Sequence, residues 1–594
     1  MPTLRGNQFD LKLNYTTVNF TGNPATATTV NGGLPGPTLR WKQGDTVTLR
    51  VQNQLAQHSS VHWHGIILPS EMDGVPGMSF PGIHPGDTFE YRFKVQQSGT
   101  YWYHSHSHMQ EQTGLFGAIV IDPIEPDPVQ ADRDYVVLLS DWSDDDPETV
   151  HARLRKQSHY YNFRERTAGD LWRDIRDKGV AQTWNERAMW NQMRMSENDI
   201  SDVNGYGYTF LMNGQTPAQG WNALFKRGEK VRLRFINGAA MTFFDVRIPG
   251  LKMTVVAADG QLIDPVTVDD FRIGVAETYD VIVEPKDDRA YCIFAQAIDR
   301  TGYARGNLTP DVSVQADIPD MDPVPVLGHA DMGMGQGDHG GHGASQSHDA
   351  HAGHTAPDSQ TDAMDHSTHA GHNMDHDSVN HAGMDHAGMN HSMHAMHNRS
   401  TNKSSPTMGT GKAGFGSASP ILHAKTESGP QVDMRSEAPQ YQLNDPGIGL
   451  RNHQRDFGRR VLTYADLCNY FPTPDPREPE REIQLHLTGN MHRYLWSFDG
   501  IPFSEAEPIH LKYGERVRFT LVNDTMMNHP IHLHGMWSDL ETGDARYIPR
   551  KHTVIVQPGS KISYLVTADA KGRWAYHCHL LFHMMGMMRE VRVS

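Results

Sequence analysis

At 594 residues and 37% hydrophobic content, the chain is too long for one core and points to three or four units, with part of its length polar and unpacked. A net charge of −17 leaves no basic excess to neutralise phosphates, so nucleic acid is excluded as an expected partner. No apolar run of about 18 residues occurs and no membrane span is expected, while Cys292, Cys468 and Cys578 allow one disulfide at most.

The N-terminal Met1–Gly6 lacks the apolar stretch of a secretory leader, so the protein either stays inside or is exported with its leader outside this chain. The first unit, residues 1–125, contains the segment Gly44-Asp45-Thr46-Val47-Thr48-Leu49-Arg50-Val51-Gln52-Asn53. A Gly-acid turn followed by strict apolar/polar alternation predicts a half-buried antiparallel strand. His62-Trp63-His64-Gly65 follows, then Asp73 in Glu71-Met72-Asp73-Gly74, then His104-Ser105-His106. His108 stands outside the pair as a surface or supporting residue.

The second unit, residues 126–320, repeats the turn-strand as Gly228-Glu229-Lys230-Val231-Arg232-Leu233-Arg234-Phe235-Ile236-Asn237. From about Asp144 to Asn198 its apolar spacing turns helical, which predicts a helical insertion carrying Met189, Met193 and Met195. No histidine pair occurs in this unit, and it reads as a spacer. Residues 321–440 lose aliphatic side chains and become rich in Gly, Ser, Asp, His and Met, the composition of a disordered linker. Fifteen histidines lie between His329 and His397, interleaved with Met364-Asp365-His366, Met374-Asp375-His376 and Met384-Asp385-His386. Neutral spacers do not need such ligands, so this segment is expected to bind metal.

The third unit, residues 441–594, resumes its packed part near Glu480 and carries the third copy of the repeat, Gly514 to Asn523. It also holds His529-Pro530-Ile531-His532-Leu533-His534-Gly535 and His577-Cys578-His579-Leu580-Leu581-Phe582-His583. Three copies of one turn-strand among Gly/Pro turns imply three β-sandwich or barrel units, an all-β protein. On a strand, residues i and i+2 share a face, so each His-x-His presents two imidazoles side by side. Two histidines, a cysteine and a distant methionine together suit one-electron copper chemistry. Gly99 and Gly572 each lie five residues before a histidine, a register that pairs His104 with His577 and His106 with His579. The first unit then has half a metal shell, and a shared cluster is expected between the first and third units.

These motifs resemble the multicopper oxidase family across the three folded units. The resemblance implies three cupredoxin-like Greek-key β-sandwich domains and four coppers. By motif, the type 1 copper would take His529, Cys578, His583 and Met588, with Met587 as the competing axial residue. The type 2 copper would take His62 and His532, and the type 3 pair His64, His104, His106, His534, His577 and His579. Cys578 faces the type 1 copper while its neighbours face the type 3 pair, and four electrons reduce dioxygen to water. Asp73 is the candidate proton source, its alternative role being that of a turn residue.

Methionines around the type 1 loop (Met526, Met527, Met584, Met585, Met587 and Met588) favour Cu(I) as the electron donor, with phenols or catechols the laccase-like alternative and copper storage a third. The Met-Asp-His elements resemble the periplasmic copper-resistance type of Gram-negative bacteria. That implies export, oxidation of Cu(I) to Cu(II), a copper-collecting linker and contact with other periplasmic copper-handling proteins, the chain acting as a monomer.

Overall fold

The computed structural model describes residues 1–193, 195–333, 407–408 and 411–594. Its strands form six sheets, two for each copy of the repeat. The repeat strands Thr46–Asn53, Val231–Asn237 and Arg516–Asn523 occupy the same place three times. Each pairs in parallel with an earlier strand (Gln8–Val18, Arg133–Trp142, Arg481–Asn490). On its other side each pairs antiparallel with a later one (Thr88–Lys94, Thr278–Val283, Ser560–Thr567).

The asparagine closing each copy explains why the repeat ends as it does. Asn53 Nδ2 donates to Gln57 O and Ile83 O, both at 2.8 Å, while its Oδ1 accepts from Leu55 N at 2.9 Å. Asn237 holds Thr242 O, Ile273 O and Ala239 N in the same way. Asn523 does so with Met527 O, Val556 O and Thr525 N. A buried amide with two donors and an acceptor satisfied fixes the loop that leads into the next strand.

Half-burial holds only for the first copy, where exposure alternates along Thr46–Asn53. In the second and third copies every residue of the strand is buried. Their arginines are accommodated by ion pairs: Arg232 with Asp280 at 2.7 Å, Arg234 with Asp134 at 2.6 Å, Arg516 with Asp539 and Arg518 with Glu541, both at 2.8 Å. Charged groups leave water only when paired and hydrogen-bonded, so these pairs let the pattern continue into the interior.

The insertion is helical, with helices at Pro147–Lys156, Ala168–Lys178 and Val180–Met193. Asp146 caps the first, and a Thr167–Asp170 capping box opens the second. The ring of His151 stacks on Phe582, centroids 5.8 Å apart, so the first helix covers the His583 loop.

The linker bounds 321–440 change. Most of the Met/His-rich stretch lies outside the described residues, but both of its ends are packed. Leu327 and Met332 are buried, and Asp322 binds Arg247 and Arg459 at 2.7 Å. Residues 411–440 are held on the third repeat, with Gly411 O and Lys412 O accepting from Arg518 and Ser436 N donating to Asp524. Composition misses this because polar, glycine-rich backbone is retained here largely by hydrogen bonds, with only a few apolar side chains such as Ala413 and Met434 buried. The three cysteines are free, so Cys292 and Cys468 do not pair. Among the described residues no helix is long and apolar enough to cross a membrane.

Arg518 is fully buried and bidentate to Glu541. Arg518→Ala strands that carboxylate and frees residues 411–412, with an expected cost of roughly 3–5 kcal/mol in denaturant unfolding. Arg518→Met together with Glu541→Leu should recover most of it. A loss below about 1 kcal/mol for the single variant would contradict this account.

Candidate metal centre

Two hairpin-like pairings present the histidines. His62–His64 runs antiparallel to Gly99–His104 with His62 opposite His104. His529–Leu533 runs antiparallel to Gly572–Cys578 with His532 opposite His577. The glycine after His62-Trp63-His64 and after His532-Leu533-His534 turns at positive φ, +78° at Gly65 and +72° at Gly535. A Cβ there would sit 2.5 Å from the ring of His552 or 2.4 Å from that of Trp574, so no other residue fits.

Eight histidines from the two repeats converge. His64, His104 and His579 form one set of three ring nitrogens within 4.8 Å of one another, His106, His534 and His577 a second, and His62 and His532 a third with His64. His534 Nε2 lies 3.0 Å from His577 Nε2, His104 Nε2 3.3 Å from His579 Nε2, and His106 Nε2 3.4 Å from His577 Nε2. All are buried except His106, which is partly exposed, and burial pushes the pKa of His64, His104, His106, His532, His534 and His579 well below the usual range, to about 4 for His577. These seven are neutral imidazoles aimed nitrogen to nitrogen, a costly arrangement without a cation between them.

Their outer nitrogens fix the tautomers. His62 Nδ1 donates to Asp73 O and His534 Nδ1 to Asp73 Oδ2, both at 2.8 Å. His532 Nδ1 donates to His552 O at 2.5 Å, His577 Nδ1 to Cys578 O at 2.9 Å, and His104 Nδ1 meets Glu111 Oε2 at 2.8 Å. Carbonyl and carboxylate oxygens only accept, so these Nδ1 atoms carry the proton and Nε2 offers its lone pair inward. His64 is reversed: its Nε2 meets His552 Nδ1 and Thr553 Oγ1 at 3.2 Å, and its Nδ1 points in. His62 Nε2, His532 Nε2 and His64 Nδ1 are buried with no hydrogen-bond partner, as nitrogen ligands would be.

A second set lies on the other side of Cys578. Cys578 Sγ is 3.5 Å from His529 Nδ1 and 3.9 Å from His583 Nδ1, and those nitrogens are 3.4 Å apart. Thr525 Oγ1 holds His529 Nε2 and Asp202 Oδ2 holds His583 Nε2, both at 2.7 Å, while Trp496 stacks on His583 at 3.8 Å. Burial pushes the Cys578 thiol up, so its thiolate needs a bound cation. One thiolate and two imidazoles suit copper, as do the eight converging imidazoles.

Met588 requires correction. It lies opposite His577 in the Gly572–Cys578/Met588–Val593 ladder, and paired residues share a face. Met588 therefore shares the His577 side and packs with Val75 and Ala575. Met587, whose carbonyl accepts from Cys578 N, is fully buried in the main core. Counting residues from His583 hides this, because it is pairing with the preceding strand that sets the face.

Nor is the second repeat a spacer. Asp202 reaches His583, and Asp259 Oδ2 accepts from His552 N and Thr553 N at 3.1 Å and pairs with Lys551 at 3.0 Å, positioning both partners of His64. Glu111, Asp202, Asp259, Thr525 and His552 carry no motif. The only prior signal is that each is a polar residue in an otherwise apolar interior. Asp73 sits where the sequence expects it, buried against His62 and His534, and His108 is exposed. The side chains of Met189 and Met193 lie outside the described residues, and Met195 packs against the core.

Family models for multicopper oxidases match residues 12–126, 133–312 and 476–594. Copper resistance protein A of Escherichia coli is 55% identical over 594 residues, covering 100% of this chain and 93% of the relative. A copper resistance protein A homolog of Pseudomonas syringae pv. tomato is 56% identical over 595 residues, with 100% and 93% covered. In fold, the chain is similar to the crystal structure of a multi-copper oxidase from Pseudomonas thermotolerans, with a TM-score of 0.56, 18% identity and 100% of each chain covered.

Asp73 orients two inward-facing rings from different repeats. Asp73→Ala is expected to weaken copper binding at the eight-histidine cluster by about 10–100-fold in chelator competition, leaving the Cys578 site filled. Equal loss at both sites, or none at either, would refute that role.

Proposed function

Because the chain belongs to the multicopper oxidase family and is a copper-dependent oxidoreductase of cupredoxin-like fold, we propose that it oxidises Cu(I) to Cu(II) at the expense of dioxygen. His62 and His532 would hold a type 2 copper. His64, His104 and His579, with His106, His534 and His577, would hold the type 3 pair. His529, Cys578 and His583 would hold a type 1 copper, with Met587 rather than Met588 as the supporting thioether. Bound copper supplies one-electron redox chemistry, by which four electrons taken singly from a donor convert dioxygen to water.

The chain's own residues do the rest. Cys578 is bonded through the backbone to His577 and His579, so one strand end joins the two donor sets. Asp73 keeps two imidazoles oriented, with both of its oxygens facing histidine nitrogens. Burial and then the charge of Asp141 raise the Glu111 pKa well above the carboxylate range, so Glu111 holds a proton beside His104. Its Oε1 has no hydrogen-bond partner, and on this reading it would offer that proton at the cluster's edge.

The observation that carries the choice of donor is the methionine set at the His583 loop. Met526 and Met527 are buried before His529, while Met585 is half exposed two residues after His583. Thioethers favour Cu(I) over hard cations. The helix Pro147–Lys156 and the buried Asp202 cover His583, which favours a small ion over an aromatic ring. The Met-Asp-His stretch outside the described residues serves on this reading as a copper-collecting arm, and the protein works in the periplasm, with phenols or catechols as lesser substrates.

In an oxygen electrode, Cu(I)-driven uptake should saturate and exceed catechol-driven uptake, and the reverse order sinks the cuprous reading. Met587→Leu should shift the thiolate-to-copper absorption and raise the type 1 potential, whereas Met588→Leu leaves both in place. Cys578→Ser removes the band altogether.

A further inference from the structure

Away from both donor sets, four side chains meet beneath residues 411–440: His423, Glu427, His486 and Asp524. His486 lies in strand Arg481–Asn490, Asp524 just past strand Arg516–Asn523, and Glu427 in the short turn Lys425–Ser428. His423 Nδ1 is 2.7 Å from Glu427 Oε2 and 3.8 Å from Asp524 Oδ2. His486 Nδ1 is 2.6 Å from Asp524 Oδ2 and 3.4 Å from Glu427 Oε2. Both imidazoles thus address the same two oxygens, and one atom from each residue lies within 4.8 Å of the others.

Three further observations make this a built site. The second oxygen of each carboxylate is anchored by a backbone amide, Glu427 Oε1 by Ala424 N at 2.9 Å and Asp524 Oδ1 by Ser436 N at 2.7 Å. Each carboxylate is therefore turned to offer one oxygen inward, the support that metal ligands receive. His486 Nε2 is steadied by Gln484 Oε1 at 3.4 Å. The Glu427, His486 and Asp524 side chains are at most 2% exposed while His423 is 27% exposed, so the cluster has a single mouth.

We propose that His423, Glu427, His486 and Asp524 form a separate Cu(II) site. Two imidazoles and two carboxylates with no sulfur make a donor set for a divalent rather than a cuprous ion, and at such a set Cu(II) outbinds the other divalent first-row metals. Cu(II) favours tetragonal geometry, in which bonds of about 2.0 Å put neighbouring ligands about 2.8 Å and opposite ligands about 4.0 Å apart. The observed contacts at 2.6 and 2.7 Å fit the first separation, and those at 3.4 and 3.8 Å approach the second. The site ties the chain returning from the Met/His-rich stretch to the sheet bearing Asn523, and Asp524 runs directly into Thr525, which holds His529.

The test uses the full copper-loaded chain, titrated with Cu(II) and followed by metal content and EPR, comparing wild type with His423→Ala and Glu427→Gln. Taking differences cancels copper held elsewhere. Each variant is expected to lose one Cu(II) equivalent and one EPR component with nitrogen hyperfine structure, with the Cys578 absorption band unchanged as the control for folding. Unchanged copper content and spectra in both variants would overturn the proposal and leave an imidazole–carboxylate ion-pair network. Anomalous scattering at the copper edge in crystals should place a peak among the four side chains, and its absence at full occupancy of the other sites would overturn it equally.

Discussion

The arrangement depends on one constraint, that successive side chains of an extended strand leave on opposite faces. At 577–579 this puts a thiol on one side of the backbone and two imidazoles on the other. Two donor sets of different chemistry then share a single strand end with no intervening loop. The same parity, carried across the ladder to Met588–Val593, puts Met588 on the His577 face rather than that of the sulfur.

A second physical theme is how much polar chemistry is buried, and what offsets it. Nine of the ten histidines in the two donor sets, a thiol and several carboxylates lie where water does not reach, and most of their outer atoms are satisfied by backbone carbonyls or carboxylates. The inward atoms left over, His62 Nε2, His532 Nε2 and His64 Nδ1 among them, have no hydrogen-bond partner. Buried arginine pairs do the equivalent structural task in the second and third repeats. There a strand that would otherwise face solvent is enclosed, and the residues that would have been its wet face are neutralised in place.

Much of the site was legible in the sequence because its signals are local. His-x-His pairs, the His-Cys-His run and the turn-strand repeat each follow from spacing along one strand, and the structure brings those side chains together. What stayed hidden depends on contacts between distant segments. Asp202 lies 381 positions from His583 and Asp259 lies 293 from His552, and neither sits in any pattern. The linker's ends were misjudged for a related reason. Composition reports apolar content, whereas residues 411–440 are retained by hydrogen bonds to Arg518, Glu541 and Asp524.

The asparagine that closes each repeat also works as a ruler. Counting forward from Asn53, the ninth and eleventh residues are His62 and His64, and from Asn523 they are His532 and His534. From Asn237 the same count lands on Val246 and Ile248, and Val246 pairs with Ala295 as His532 pairs with His577. All three of these are buried and apolar. The second repeat thus keeps the mounting points of a histidine pair and fills them with hydrocarbon, so architecture and chemistry separate cleanly in this chain: the same scaffold positions carry imidazoles in two copies and core in the third.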